Sequence, residues 1–369
     1  MKRVMAVLVA MSMMLGVTAC GSSDGSKTAA ASAAPAAASA APAASEEAKS
    51  TSKQPVAGVA WYNFGDTFIA NARTTLNDAA AKDGKIKVID ADSQNDIATQ
   101  TNNVNNFYTQ NVKYLVLNNI NTNAKADIIK QAKAKNATLI FANTDSPSDE
   151  EFKLYDKVYH VSSLADQSGK IIGEQLAKYW KEHPEADRNK NGKLDYVMLL
   201  GLQQHYDTQV RAKYSVQALN DAGIQTNLVQ EAICNYQRGE AQNQMQSILQ
   251  ARKKDVEAVI ACNDDMALGA IEALKASNFF KDKNSFIPVV GVDATKVGVE
   301  ALKNGTLLGT ALNNPVTLGK SIYKLMSLLE EGKEITQENI GIDGVTVKGH
   351  HIYINYVGIT AENTQDASY

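Results

Sequence analysis

The chain has 369 residues, 44% hydrophobic and 21% charged, with a formal net charge of −3 at pH 7. That length suffices for two domains with cores of their own, and a nearly balanced charge without a basic cluster argues against a nucleic-acid partner. Of the three cysteines, Cys234 and Cys262 each fall at the end of a predicted strand and are expected to be buried thiols rather than a disulfide.

Met1-Lys2-Arg3 is a basic start, Val4 to Leu15 an apolar stretch too short to span a bilayer, and Val17-Thr18-Ala19 supply small residues before Cys20. This pattern is that of a bacterial lipoprotein signal over residues 1–19, with the lipid on Cys20. Residues 20–54 are Ala, Ser, Pro, Gly and Lys with little to bury, which predicts a disordered tether of roughly 30 Å root-mean-square reach. The body is then expected outside the cytoplasm, held to the cell membrane by lipid alone, on the periplasmic side if there are two membranes.

Short β-rich runs follow at Val56 to Trp61, Lys85 to Asp90, Tyr114 to Leu117 and Thr138 to Ala142. Amphipathic stretches lie between them, such as Phe68 to Lys82, where Phe68, Ala72, Leu76 and Ala79 share a helical face. The second half repeats the plan, with strands at Asp195 to Leu200, Thr226 to Ile233, Ala258 to Cys262 and Pro288 to Val292 and helices starting near Thr208, Arg238, Asp265 and Thr295. Two β-α series predict an α/β protein with two doubly wound parallel-sheet domains, in which ligands bind beyond the carboxyl ends of the strands.

Between the halves, Asp187-Arg188-Asn189-Lys190-Asn191-Gly192-Lys193-Leu194-Asp195 places oxygen-bearing side chains at alternate positions around a glycine, like part of an EF-hand calcium loop. The acid expected at the twelfth position is missing: Met198 stands there, inside the apolar run Tyr196 to Leu200. A last ligand must come from elsewhere in the fold, which makes the ion a staple within a domain rather than a signalling switch.

Polar and aromatic residues gather at the predicted strand ends: Asp66 and Phe68, Asn143, then His205, Asp207 and Arg211, then Tyr236, Asn263, Asp293 and Asn313. Singly, Asp66, Asp207, Asn263 and Asp293 each read as helix N-caps. Together they offer carboxylates, amides and a guanidinium suited to paired hydroxyls, and aromatic faces suited to apolar C–H patches.

From Gly58 to about Thr360 the chain resembles the galactose/glucose-binding branch of the ribose-type periplasmic sugar-binding family of bacterial ABC transport. The resemblance is carried by Gly58-Val59-Ala60-Trp61-Tyr62 leading into Asp66-Thr67-Phe68, by Asp92 to Asp96, by His205-Tyr206-Asp207 with Arg211, by Asn263 to Ala270, by Gly291-Val292-Asp293-Ala294 and by Gly309 to Asn313. It implies a type I periplasmic binding protein whose lobes comprise 55–162 plus 314–354 and 163–313 plus 355–369. Three crossings would join them, near Val161 to Leu164, Leu312 to Val316 and Tyr353 to Val357. It further implies that Asp66, Asn143, His205, Asp207, Arg211, Asn263, Asp293 and Asn313 hydrogen-bond a hexopyranose held between Phe68 and Tyr236. Tyr236 stands where the family has tryptophan, and the acid at the place of Asp66 meets the sugar O4 hydroxyl. The ion would be Ca2+, held by Asp187, Asn189, Asn191, the Lys193 carbonyl, Asp195 and a bidentate Glu257. The expected partners are D-galactose or D-glucose, a sugar ABC permease and, as a further candidate, a chemoreceptor, with the protein itself a monomer.

No enzymatic chemistry is expected, because nothing indicates that Asp66 and Asp293 flank one bond. A sugar-responsive repressor of this fold would need a helix-turn-helix where the leader and tether stand. The alternative of a different monosaccharide, a pentose or a signalling furanose, is disfavoured by the hexose-type polar set.

Overall fold

The computed structural model describes residues 54–282 and 285–367, so the leader, Cys20 and most of the tether lie outside the described residues. The chain runs β1 (Val56–Trp61), α1 (Thr67–Asp83), β2 (Lys87–Asp92), α2 (Ile97–Thr109), β3 (Tyr114–Leu117), α3 (Lys125–Ala134), β4 (Thr138–Ala142), α4 (Asp149–Phe152) and β5 (Val158–Ser163). It continues through α5 (Ala165–Glu182), β6 (Leu194–Leu200), α6 (Tyr206–Asp221), β7 (Thr226–Ile233), α7 (Arg238–Arg252), β8 (Ala258–Ala261), α8 (Asp264–Ala276), β9 (Val289–Val292), α9 (Lys296–Lys303) and β10 (Gly309–Leu312). Last come α10 (Pro315–Glu330), α11 (Gln337–Ile340), β11 (Val345–Lys348), β12 (His351–Ile354) and β13 (Val357–Ile359).

These strands form two sheets, a seven-stranded one ordered β11-β12-β5-β4-β3-β1-β2 and a six-stranded one ordered β13-β10-β9-β8-β6-β7. Each is parallel except at one edge, where β11 runs against β12 and β13 against β10. The expected parallel sheets are therefore mixed, because the chain's last segment returns to both of them as short edge pairs. The inner strands β3, β4, β6, β8, β9 and β10 are buried at every residue, as unbroken apolar runs require when helices cover both faces of a sheet. The edge strand β7 keeps only Val229 and Ala232 buried.

Helix α1 shows how local sequence sets an element's ends. The Asp66 carboxylate accepts from the Ile69 N–H at its start, and Gly84 ends it at φ 67°, donating to the Ala80 carbonyl. Its buried face, Phe68, Ile69, Ala72, Leu76 and Ala80, lies in the core, and the helix packs on α10. In the other lobe α5 packs on α6, so closely that a Cβ on Gly173 would lie 2.4 Å from the Ser215 carbonyl oxygen. This close approach positions α6, which carries Asp207 and Arg211.

The chain passes between the sheets three times: after β5, between β10 and α10, and between β12 and β13. The expected three-strand connection is thus present. Cys234 and Cys262 are buried free thiols, and burial pushes them up to about 12 and about 11 respectively.

Candidate functional site

Every ligand-contact residue named from the sequence, Asp66, Phe68, Asn143, His205, Asp207, Arg211, Tyr236, Asn263, Asp293 and Asn313, lines one cavity, together with Tyr62. The cavity, about 290 Å³ of empty space counting its opening to solvent, draws on both sheets. Asp66 follows β1, Asn143 β4, His205 β6, Tyr236 β7, Asn263 β8, Asp293 β9 and Asn313 β10, so the site sits at the carboxyl ends of the parallel strands. The lobes also touch directly. Thr67 Oγ1 donates to Asp265 Oδ2 at 2.7 Å, and the Tyr62 and His205 rings stack with centroids 6.0 Å apart.

Tyr62 was not singled out as a site residue. Its hydroxyl donates to Asp66 Oδ2, while Asp66 Oδ1 accepts from the Ile69 N–H at 2.8 Å. One carboxylate thus caps α1 and faces the cavity. Asn263 is a true N-cap as well, accepting from Met266 N–H at 2.9 Å. The N-cap reading fails at the other two acids. Asp207 lies inside the first turn of α6, and Thr295, not Asp293, caps α9. Neither carboxylate is absorbed by a helix end.

Asp207 instead pairs with Arg211 one turn on, Nη2 to Oδ2 at 3.2 Å. The guanidinium also donates to the Cys262 carbonyl at 2.9 Å and the Tyr356 hydroxyl at 3.0 Å. Its Nε, like His205 Nε2, is buried without a protein partner. Buried polar atoms are nearly always paired, so two unpaired ones on side chains that line one cavity are available to a ligand's polar groups. Tyr236 lies flat against the backbone of Gly201, where a Cβ would come within 2.1 Å of the ring, and its hydroxyl meets Thr208 Oγ1 at 2.7 Å and His205 Nδ1 at 3.0 Å. Tyr236 and Asp293 both have positive φ, 61° and 109°, a strain of about 1–3 kcal/mol each that the surrounding fold must hold.

Three carboxylates face one guanidinium, which suits a neutral ligand rich in hydroxyl donors and disfavours an anion. Burial raises Asp66 above its ordinary range, opposed by the Tyr62 hydrogen bond, and raises Asp293 well above it, opposed by Arg211. Burial lowers His205, keeping it neutral. Hydroxyls donate to the ionised acids, so a polyol binds the deprotonated cleft and must displace the protons that raised pKa values retain. Affinity should therefore fall as pH drops, beginning above the ordinary carboxylate value of about 4, with protons released on binding. Calorimetry in buffers of different ionisation enthalpy checks this; an affinity flat from pH 7 to 4.5 would contradict it.

The loop 187–195 lies apart from this cavity. Asp187 accepts from the N–H groups of Asn191 and Gly192, with Gly192 at φ 74° supplying the turn. Asp195 Oδ2 accepts from the side-chain amides of Asn189 at 2.5 Å and Asn191 at 2.8 Å. Glu257, just before β8, accepts from the N–H groups of Arg188, Asn189 and Asp195. Burial and the charge of Asp195 push Glu257 up. Among the described residues no three His, Cys, Asp or Glu side chains close on one point. The donor chemistry nevertheless fits a hard cation, since the acids and amides offer oxygen; the Asn189 and Asn191 amide oxygens here accept from the Asn191 and Lys193 N–H groups while their NH2 groups point at Asp195.

Residues 57–334 match the model of the periplasmic binding protein domain. The chain is 34% identical over 310 residues to the D-galactose/methyl-galactoside binding periplasmic protein of Haemophilus influenzae, an overlap of 84% of this chain and 90% of that one. It belongs to the periplasmic binding protein family. Such proteins are solute-binding components of transport systems, not enzymes. Another relative in this periplasmic binding protein group is the ribose import binding protein of Escherichia coli, 28% identical over 278 residues, 72% of this chain and 86% of that one. A solved ABC transporter solute-binding protein from Bacillus halodurans with bound myo-inositol shares the periplasmic binding protein fold at TM-score 0.70 and 25% identity, with coverage of 85% and 96%. Among the described residues no helix is long and apolar enough to cross a membrane.

Proposed function

We propose that this periplasmic binding protein is the sugar receptor of a bacterial ABC importer and takes D-galactose and D-glucose between its lobes. The observation that carries the reading is the single cavity at the strand ends, where Asp66, Asn143 and Asp293 stand with two buried atoms lacking partners, Arg211 Nε and His205 Nε2. Carboxylates and amides would accept and donate to the ring hydroxyls, Arg211 would supply the fixed donors, and Phe68 and Tyr236 would cover the apolar faces. Asp66 would take the O4 hydroxyl. Its carboxylate accepts that proton whether the hydroxyl is axial or equatorial, so both epimers fit.

A sugar touching both lobes favours the closed arrangement by its differential contacts, and a permease recognises that state. Calcium held by Asp187, Asn189, Asn191, the Lys193 carbonyl, Asp195 and Glu257 would tie the loop to β8 and stabilise the second lobe without entering the sugar site. Cys20 would carry the lipid that keeps the protein at the membrane; loss of labelled-lipid incorporation in Cys20→Ser checks this, and unchanged incorporation would refute it. Titration with hexoses and pentoses tests the sugar assignment.

A further inference from the structure

His160 on β5 and His351 on β12 are register partners on adjacent parallel strands of the first lobe, with their Nδ1 atoms 3.3 Å apart. His160 is 2% exposed, and its Nε2 lies 2.8 Å from the Thr144 carbonyl oxygen. A carbonyl only accepts, so the His160 proton sits on Nε2 and the Nδ1 lone pair faces His351. Burial holds the ring neutral by lowering its pKa to about 4, which keeps that lone pair available at physiological pH. His351 is half-buried and fixed in place, stacked on Tyr353 at 5.1 Å and met edge-on by Phe152 at 4.9 Å. It borders an open cleft whose lining includes Asp149, Asp156, Lys153 and Lys348, charges that balance.

We propose that His160 and His351 form a two-histidine site for a divalent first-row transition metal, Zn2+ or a neighbour such as Cu2+, approached from this cleft. Zinc–imidazole bonds of about 2.0–2.1 Å at a tetrahedral angle set two nitrogens about 3.3–3.4 Å apart, which matches the observed separation. Without a metal the same pair shares an N–H···N hydrogen bond. The Thr144 carbonyl on the far side of His160 is the outer partner that metal-bound imidazoles usually have. Among the described residues no third His, Cys, Asp or Glu closes the site. Water completes the coordination, and binding is reversible rather than structural. Both strands lead into crossings between the lobes, β5 ending at Ser163 and β12 at Ile354. A metal there pins together two of the three connections on which closure turns.

The test is calorimetric titration of the metal-stripped full chain with Zn2+, in excess Ca2+ so that the loop at 187–195 is saturated. One equivalent of Zn2+ should bind, at least about tenfold more weakly in His351→Gln and unchanged in His183→Gln, which removes an exposed histidine paired with Glu185. Equal binding by wild type and His351→Gln, or none by wild type, overturns the site. Electron paramagnetic resonance of the Cu2+-loaded wild type needs no variant: coupling to two imidazole nitrogens supports the proposal, and coupling to one or none overturns it.

Discussion

Arg211→Ala should destabilise the protein by about 3–5 kcal/mol and abolish hexose binding at concentrations that saturate the wild type. The guanidinium is buried between Asp207, the Cys262 carbonyl and the Tyr356 hydroxyl. Removing it strands the Asp207 carboxylate in a cleft that already holds Asp66 and Asp293, so three buried acids would face no cation. It also removes the orphaned Nε of a side chain that lines the cavity. Urea denaturation reads the stability, and the pair Arg211→Ala, Asp207→Ala separates causes. If the stranded charge dominates, the double variant recovers much of the lost stability but none of the binding. An unchanged urea midpoint in Arg211→Ala would show that the pair has little energetic weight.

Chelation should act on the other end of the second lobe. With Ca2+ at a hundredfold over its dissociation constant, binding to the native state alone contributes about 2.7 kcal/mol, which at about 2 °C per kcal/mol lowers the melting temperature by about 5 °C when EDTA removes it. Ca2+ added back in excess should restore the loss. Glu257→Gln should erase most of the difference, since Glu257 is fully buried and reaches the loop through Arg188, Asn189 and Asp195. A melting curve indifferent to EDTA would remove the ion from the account. Hexose binding should survive chelation in part, because no loop residue lines the sugar cavity.

Most strands buried on both faces were legible because their sequences are short β-rich runs: Val56 to Trp61, Tyr114 to Leu117 and Thr138 to Ala142 occupy the expected bounds, whereas β5 and β10 were not marked. The second strand starts at Lys87 rather than Lys85, because Gly84 closes α1 and Ile86 turns into the core before pairing with β1 begins. The late strands β11 to β13 were not marked. Their pairing is set by distant partners, His160 and neighbours for β12 and Thr310 to Leu312 for β13, although Val345, Val347, Ile352 and Ile354 alternate around Gly349 as a hairpin would. Residue types at strand ends revealed which side chains gather at one cavity. They did not reveal Tyr62, whose hydroxyl reaches Asp66 only through the turn from β1 into α1. Nor did they separate Asp66 and Asn263, which cap helices, from Asp207 and Asp293, which do not.

The central claim is that the cavity selects a hexose, and calorimetric titration of the chain with galactose, glucose, ribose and arabinose tests it most directly. Galactose and glucose should both bind, with affinities within about a hundredfold, a gap of about 2.7 kcal/mol. Asp66→Ala should weaken both together. A pentose would leave buried groups such as Asp207, Asn263 or Asp293 short of partners, at about 1–3 kcal/mol for each, so it should bind at least about tenfold more weakly. Ribose or arabinose binding more tightly than either hexose would contradict the hexose assignment and leave a receptor for another sugar.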